Sequence, residues 1–202
     1  MSREKQAHDL RLHLAQEAAR LIEEQGIRDF RVAKDKAAAS LGLKTRGGPM
    51  PRNTEIETAL AERQRLFGGA VAAQRLRKLR RAATEAMVLF AAFHPRLVGD
   101  VLTGLANAHS DVQLHLFADH SEAFDLFLQD QGIPYRLGES RFRFGRGAPH
   151  CYPAFQFTAG DVGFRAVVFP LKGIRQAPDS LVDATPMARA KRAEVDELLR
   201  DG

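Results

Sequence analysis

The spacing of the apolar residues changes once along this chain, at His94-Pro95. Before that point they recur at helical intervals. After it most runs are short, alternate in polarity and end at turn residues, as strands do. A chain ordered this way has to pack helices against a sheet. The expected fold class is α+β: a mixed sheet packed on helices, with an N-terminal helical region.

Leu10, Leu14, Ala18, Leu21 and Ile22 predict a first helix that stops at Gly26. Ala33, Ala37, Ala38 and Leu41 predict a shorter second one, ended by Gly42. The stretch KTRGGPMPRN cannot continue a helix. Thr54 reads as an N-cap, with Glu57 completing a capping box and a helix running over 55–67. Gly68-Gly69 interrupts, and a longer helix follows over 71–93. Beyond His94-Pro95, the segments 96–104 and 111–118 are β-compatible. Residues 121–131 predict a helix capped by Ser121. Short strands are expected at 135–137 and 141–144, and a hairpin over 155–158 and 162–169 around Ala159-Gly160-Asp161. A last helix is expected over 186–199. The resulting division is a helical region at 1–70, an α/β domain at 71–175 and a C-terminal tail with a helix at 176–202.

Composition narrows the class. With 45% apolar residues among 202, a sizeable core is available. No apolar run reaches the length of a membrane span. The opening MSREKQAHDL lacks the apolar core of a secretory signal, and Cys151 is the only cysteine, so a reduced cytoplasmic setting is expected. The net charge of +5 is uneven: residues 69–96 carry six basic and one acidic residue, whereas 97–202 are net acidic. A basic segment of this kind raises affinity for polyanions.

One spacing carries chemistry. Val98-Gly99-Asp100 is followed, ten residues later, by Asp111-Val112-Gln113-Leu114. This resembles the signature of the nucleotidyltransferase superfamily, the DNA polymerase β-like fold. There an apolar residue, Gly and Gly or Ser precede an acidic pair at i and i+2 of a strand. The order of a long helix, the glycine segment, the acidic strand and a further helix is also similar. The helical N-terminus, with AQEAARLIEEQG and AKDKAAASLGL, resembles that of small bacterial proteins in the same superfamily.

The resemblance implies transfer of a nucleoside monophosphate from a nucleoside triphosphate to an acceptor, with Mg²⁺ or Mn²⁺ as cofactor. Carboxylates at i and i+2 share a strand face and hold the metal ions. A glycine lets backbone N–H groups approach phosphates. It marks Asp111 as catalytic and metal-ligating, and Gly99, Asp100, Gln113 and Arg165 as nucleotide-binding. The match is partial. Asp100 replaces a small residue, Gln113 stands at the second carboxylate, and Arg165 and Ala166 lie where the third is expected. A degenerate member binding nucleotide or RNA without catalysis is therefore an open alternative.

Asp111, Gln113 and His115 alternate on one strand face, which reads either as a polar pocket floor or as a solvent face. Arg75, Arg77 and Lys78 on the long helix, and Arg141 and Arg143 on a strand, are candidates for binding nucleic acid or another anion. Arg141 and Arg143 lie opposite Phe142 and Phe144, as on any amphipathic strand. The first two helices also resemble the opening of TetR-type repressors, a second alternative in which the partner is DNA.

Overall fold

The computed structural model describes residues 3–43 and 48–201. Part of the glycine- and proline-rich stretch, residues 44–47, lies outside them. The chain forms two compact units that divide between Ala72 and Ala73. The first also takes Asn107–His109 and Leu181–Asp183.

The first unit contains α1 (Arg3–Gln25), α2 (Phe30–Ser40) and α3 (Asn53–Phe67). Its core is Leu14, Ala15, Ala18, Ala19, Leu21, Ala33, Ala37, Ala38, Ile56 and Leu60. Six of these ten are alanines, so the helix backbones can approach closely. Asp29 caps α2 by accepting the Arg31 N–H at 2.7 Å. The start of α3 differs from the sequence expectation. The helix begins at Asn53, and Glu55 rather than Glu57 supplies the reciprocal cap, its carboxylate accepting the Arg52 N–H at 2.7 Å. Arg52 takes an extended conformation as N-cap, and Asn53 and Thr54 are already inside the first turn. Residues 41–52 separate α2 from α3.

The second unit is built on α4 (Gly69–Leu89), β1 (Arg96–Val98), α5 (Asp100–Thr103), β2 (Val112–Ala118), α6 (Glu122–Asp130), β3 (Tyr135–Phe142), β4 (His150–Ala159), β5 (Val162–Pro170) and α7 (Arg192–Arg200). The strands form one mixed sheet in the order β1-β2-β5-β4-β3. Only β2 and β5 run parallel. The α+β class is thus observed.

Several elements depart from expectation. The 96–104 segment is a three-residue strand that breaks at Gly99 into a single helical turn. The long helix ends at Leu89, followed by a 3-10 turn at Ala91–Phe93. Strand β3 is continuous where two pieces were expected. Ser121 makes no capping bond; its hydroxyl turns to Glu122 instead. The last helix starts only at Arg192, because the chain before it runs extended and Ala190 exchanges both backbone hydrogen bonds with Leu97 at 2.9 Å.

Alternation gives the sheet two unlike faces. Val112, Leu114, Leu116, Phe164, Ala166, Val168, Phe155 and Phe157 point to one side. There they pack with Leu79, Ala83, Met87 and Phe90 beside them and with Phe124 and Leu128 of α6. Phe90 meets Phe124 and Phe157 edge-on, at 5.1 and 5.8 Å between ring centres. Arg80 of α4 is half-buried and donates to the carbonyls of Val101, Leu102 and Leu198, at 3.2, 3.4 and 3.3 Å. It thereby closes the C-terminal turns of α5 and α7, whose last carbonyls lack helical partners. Burial lowers its pKa. Arg80→Met, which keeps the stem and removes the donors, is expected to cost about 1–3 kcal/mol of stability in urea denaturation.

Candidate functional site

The other face of the sheet is polar at one end and aromatic at the other. Strand register sets its rows. Asp111 lies beside Gly163, with Thr158 on the next strand. The next row runs Arg136, Gln156, Arg165, Gln113 and Val98 across all five strands. The third runs Gly138, Ala154, Val167, His115 and Arg96. Beyond it stand Ser140, Tyr152, Phe169 and Phe117. In these rows Asp111 is the one acidic side chain, against Arg96, Arg136 and Arg165.

Two glycines make room for the polar end. Gly99 sits at φ 71°, ψ −156°, a region essentially reserved for glycine. A Cβ there would lie 3.0 Å from the Gln113 side-chain amide. At Gly163 a Cβ would collide with a carboxylate oxygen of Asp111. The half-buried Asp111 and Gln113 are therefore seated directly on backbone. Asp100 opens the first turn of α5 and is exposed; its carboxylate accepts from the Ser110 hydroxyl at 3.4 Å.

Arg165 is half-buried and stands opposite Gln113 on the neighbouring strand. Its Nη2 donates to Ser140 Oγ at 2.7 Å and to the Glu139 carbonyl at 3.4 Å. The register puts the small residues Ala154 and Gly138 between Arg165 and Ser140. Among the described residues no acid pairs with Arg165.

His115 shares the strand face of Asp111 and Gln113, yet it is neither pocket floor nor solvent-exposed. It is 2% exposed. Phe142 and Phe169 pack on its ring, at 5.3 and 4.6 Å between centres. Its Nδ1 accepts from Arg189 Nε at 3.1 Å, which assigns the neutral tautomer. Arg189 lies over the rings of Phe117 and Phe169, at 5.0 and 5.2 Å, and donates to the carbonyls of Gly173 and Gln176. Burial, reinforced by Arg189, pushes the His115 pKa down to about 3. Burial, with Arg96 nearby, pulls Arg189 down to about 10. Nothing in the sequence pointed to Arg189, which lies far along the chain in an irregular segment.

The remaining sequence candidates do not join this cluster. Arg75, Arg77 and Lys78 belong to α4, whose apolar side packs on the opposite face of the sheet. Lys78 pairs with Asp161, a contact that lowers the Asp161 pKa. Arg141 is exposed on the α4 side of β3, because Phe142 points into the aromatic cluster. Arg143 is exposed beyond the strand end, and its carbonyl accepts the Asp179 N–H at 2.8 Å. Gln156 and Ser140 carried no signal in the sequence. Alternation shows which residues share a face but not which strands lie side by side.

Among the described residues no group of three or more His, Cys, Asp or Glu side chains could hold a metal ion. None of the helices described is long and apolar enough to cross a membrane. No protein-family model, curated protein or solved structure matches the chain.

Two outcomes are expected. Gly99→Ala should destabilise the protein by about 1–3 kcal/mol. Adding Gln113→Ala should restore only part of this in urea denaturation, because the positive φ remains. The second concerns pH. Folded His115 stays neutral down to about 3 while the unfolded residue takes up a proton near 6.5. Stability should therefore fall as pH drops below 6.5, with a limiting slope of about 1.4 kcal/mol per pH unit from this group. His115→Leu should remove that part of the slope in denaturation curves taken from about pH 7.5 to 4.5.

Proposed function

We propose that this chain is a nucleotidyltransferase-like protein that binds a nucleoside triphosphate on the polar end of the sheet. The reading rests on one arrangement. The chain runs from α4 through β1 to the Gly99 turn, then α5, β2 and α6, with Asp111 and Gln113 side by side on one face and Gln113 packed on Gly99. That order and that face are the ones implied by the Val98-Gly99-Asp100 and Asp111-Val112-Gln113-Leu114 spacing.

The residues present do not fit the Mg²⁺ or Mn²⁺ pair of an active transferase. Such ions need several oxygen ligands carrying negative charge. Here Asp111 is a single carboxylate, Gln113 is a neutral amide, and Arg165 brings a positive charge beside them. The proposal is accordingly one of binding, without transfer of a nucleoside monophosphate to an acceptor. Binding is supported by different features. Gln113 can donate to and accept from a base, sugar or phosphate, and Arg165 supplies a planar fork suited to phosphate oxygens.

Calorimetric titration of ATP, GTP, CTP and UTP tests the reading. At least one is expected to bind. Gln113→Leu should weaken the preferred nucleotide by about tenfold, the loss of one or two hydrogen bonds to the ligand, while leaving the circular dichroism spectrum unchanged. Failure of all four to bind would overturn the proposal.

A further inference from the structure

From the mismatch between this site and a metal centre we infer that Arg165 takes the part of the divalent cation, so that the sheet face binds phosphate oxyanions without metal. The inference rests on the nucleotide-binding reading above for the identity of the whole ligand, but not for its anionic part.

Three observations carry it. The first is position. Parallel pairing of β2 with β5 sets Arg165 directly opposite Gln113 and one step along the same face from Gly163, over which the Asp111 carboxylate lies. A guanidinium there repels a cation that Asp111 alone would have to hold. The second is the absence of a counter-charge. Arg165 has no acidic partner among the described residues, and Arg136 lies in the same row with Gln156 between them. Two guanidiniums around a neutral amide form an arrangement suited to an oxyanion. The third is donor capacity. Arg165 reaches past the buried Ala154 to Ser140, whose hydroxyl accepts from it, and the neighbouring Arg136 and Gln156 of the same row are exposed. An anion over that row meets Arg165, Arg136 and Gln156 together.

The test is calorimetry with ATP, GTP, CTP, UTP and inorganic tripolyphosphate, each in EDTA and in Mg²⁺. Wild-type affinity is expected to be equal in the two conditions or higher in EDTA, since free polyphosphate carries more negative charge. Arg165→Gln should weaken binding by about tenfold or more, and Arg165→Lys, which keeps the charge and loses the fork, by less. Circular dichroism and thermal melting of each variant report whether it is folded. The doubly substituted Gln113→Asp, Arg165→Asp chain provides a check in the reverse direction. With three carboxylates on the face, it should lose binding in EDTA and regain it in Mg²⁺. Binding of tripolyphosphate that depends on Arg165, with no preference for any nucleotide, would uphold the inference and overturn the nucleotide reading. Nucleotide binding that requires Mg²⁺, or that is unchanged in folded Arg165→Gln, would overturn the inference and leave the nucleotide reading intact. No binding of any of these anions would overturn both.

Discussion

The parallel pairing of β2 with β5 is the constraint on which the second unit depends. It is the one parallel contact in the sheet, and it joins strands separated by α6, β3 and β4. Once it is set, the side-chain alternation of both strands is set with it, because a slip of one residue would exchange the two faces. Val112, Leu114 and Leu116 then share the helix-covered side with Phe164, Ala166 and Val168. On the reverse side the same register brings Asp111 to Gly163 and Gln113 to Arg165. Core and candidate site are two consequences of one alignment.

The polar face is itself divided. Arg189 holds one half shut: its guanidinium rests on Phe117 and Phe169 and ties the 3-10 turn after β5 to the His115 ring. Cation–π contact and hydrogen bonds to neutral groups here stand in for an ion pair. In the other half the arginines, amides and Asp111 are half-buried or exposed. The difference between the halves lies in side-chain size. Aromatic residues fill one, with Ala154 buried among them, while in the other Gly99 and Gly163 seat Gln113 and Asp111 against the backbone.

Much of the fold was legible because it depends on local rules. Apolar spacing placed α1, α2 and α6 and the β4–β5 hairpin near their observed positions. The errors share a cause in context. Residues 96–104 are apolar enough for a strand, but Gly99 adopts a backbone conformation that ends it. Residues 186–199 alternate well enough for a helix, yet Ala190 is drawn into backbone pairing with Leu97. In both cases a partner or a steric limit outside the local pattern decided the outcome. Thr54 and Glu57 have capping spacing too, but the helix starts at Asn53 and Glu55 takes the role.

The candidate site divides along the same line. Sequence alone determined that Asp111, Gln113 and His115 share a face of β2, because alternation is a property of the extended backbone. It also determined that Asp111 stands without a second carboxylate at i+2. Tertiary structure decided that His115 is buried beneath Arg189 and that Arg165 faces Gln113. It also decided that Arg75, Arg77 and Lys78 of α4 and Arg141 of β3 lie away from that face. Those outcomes follow from which distant strands pair and in what register, and that pairing is selected by burial of the whole apolar face rather than by any short stretch of residues.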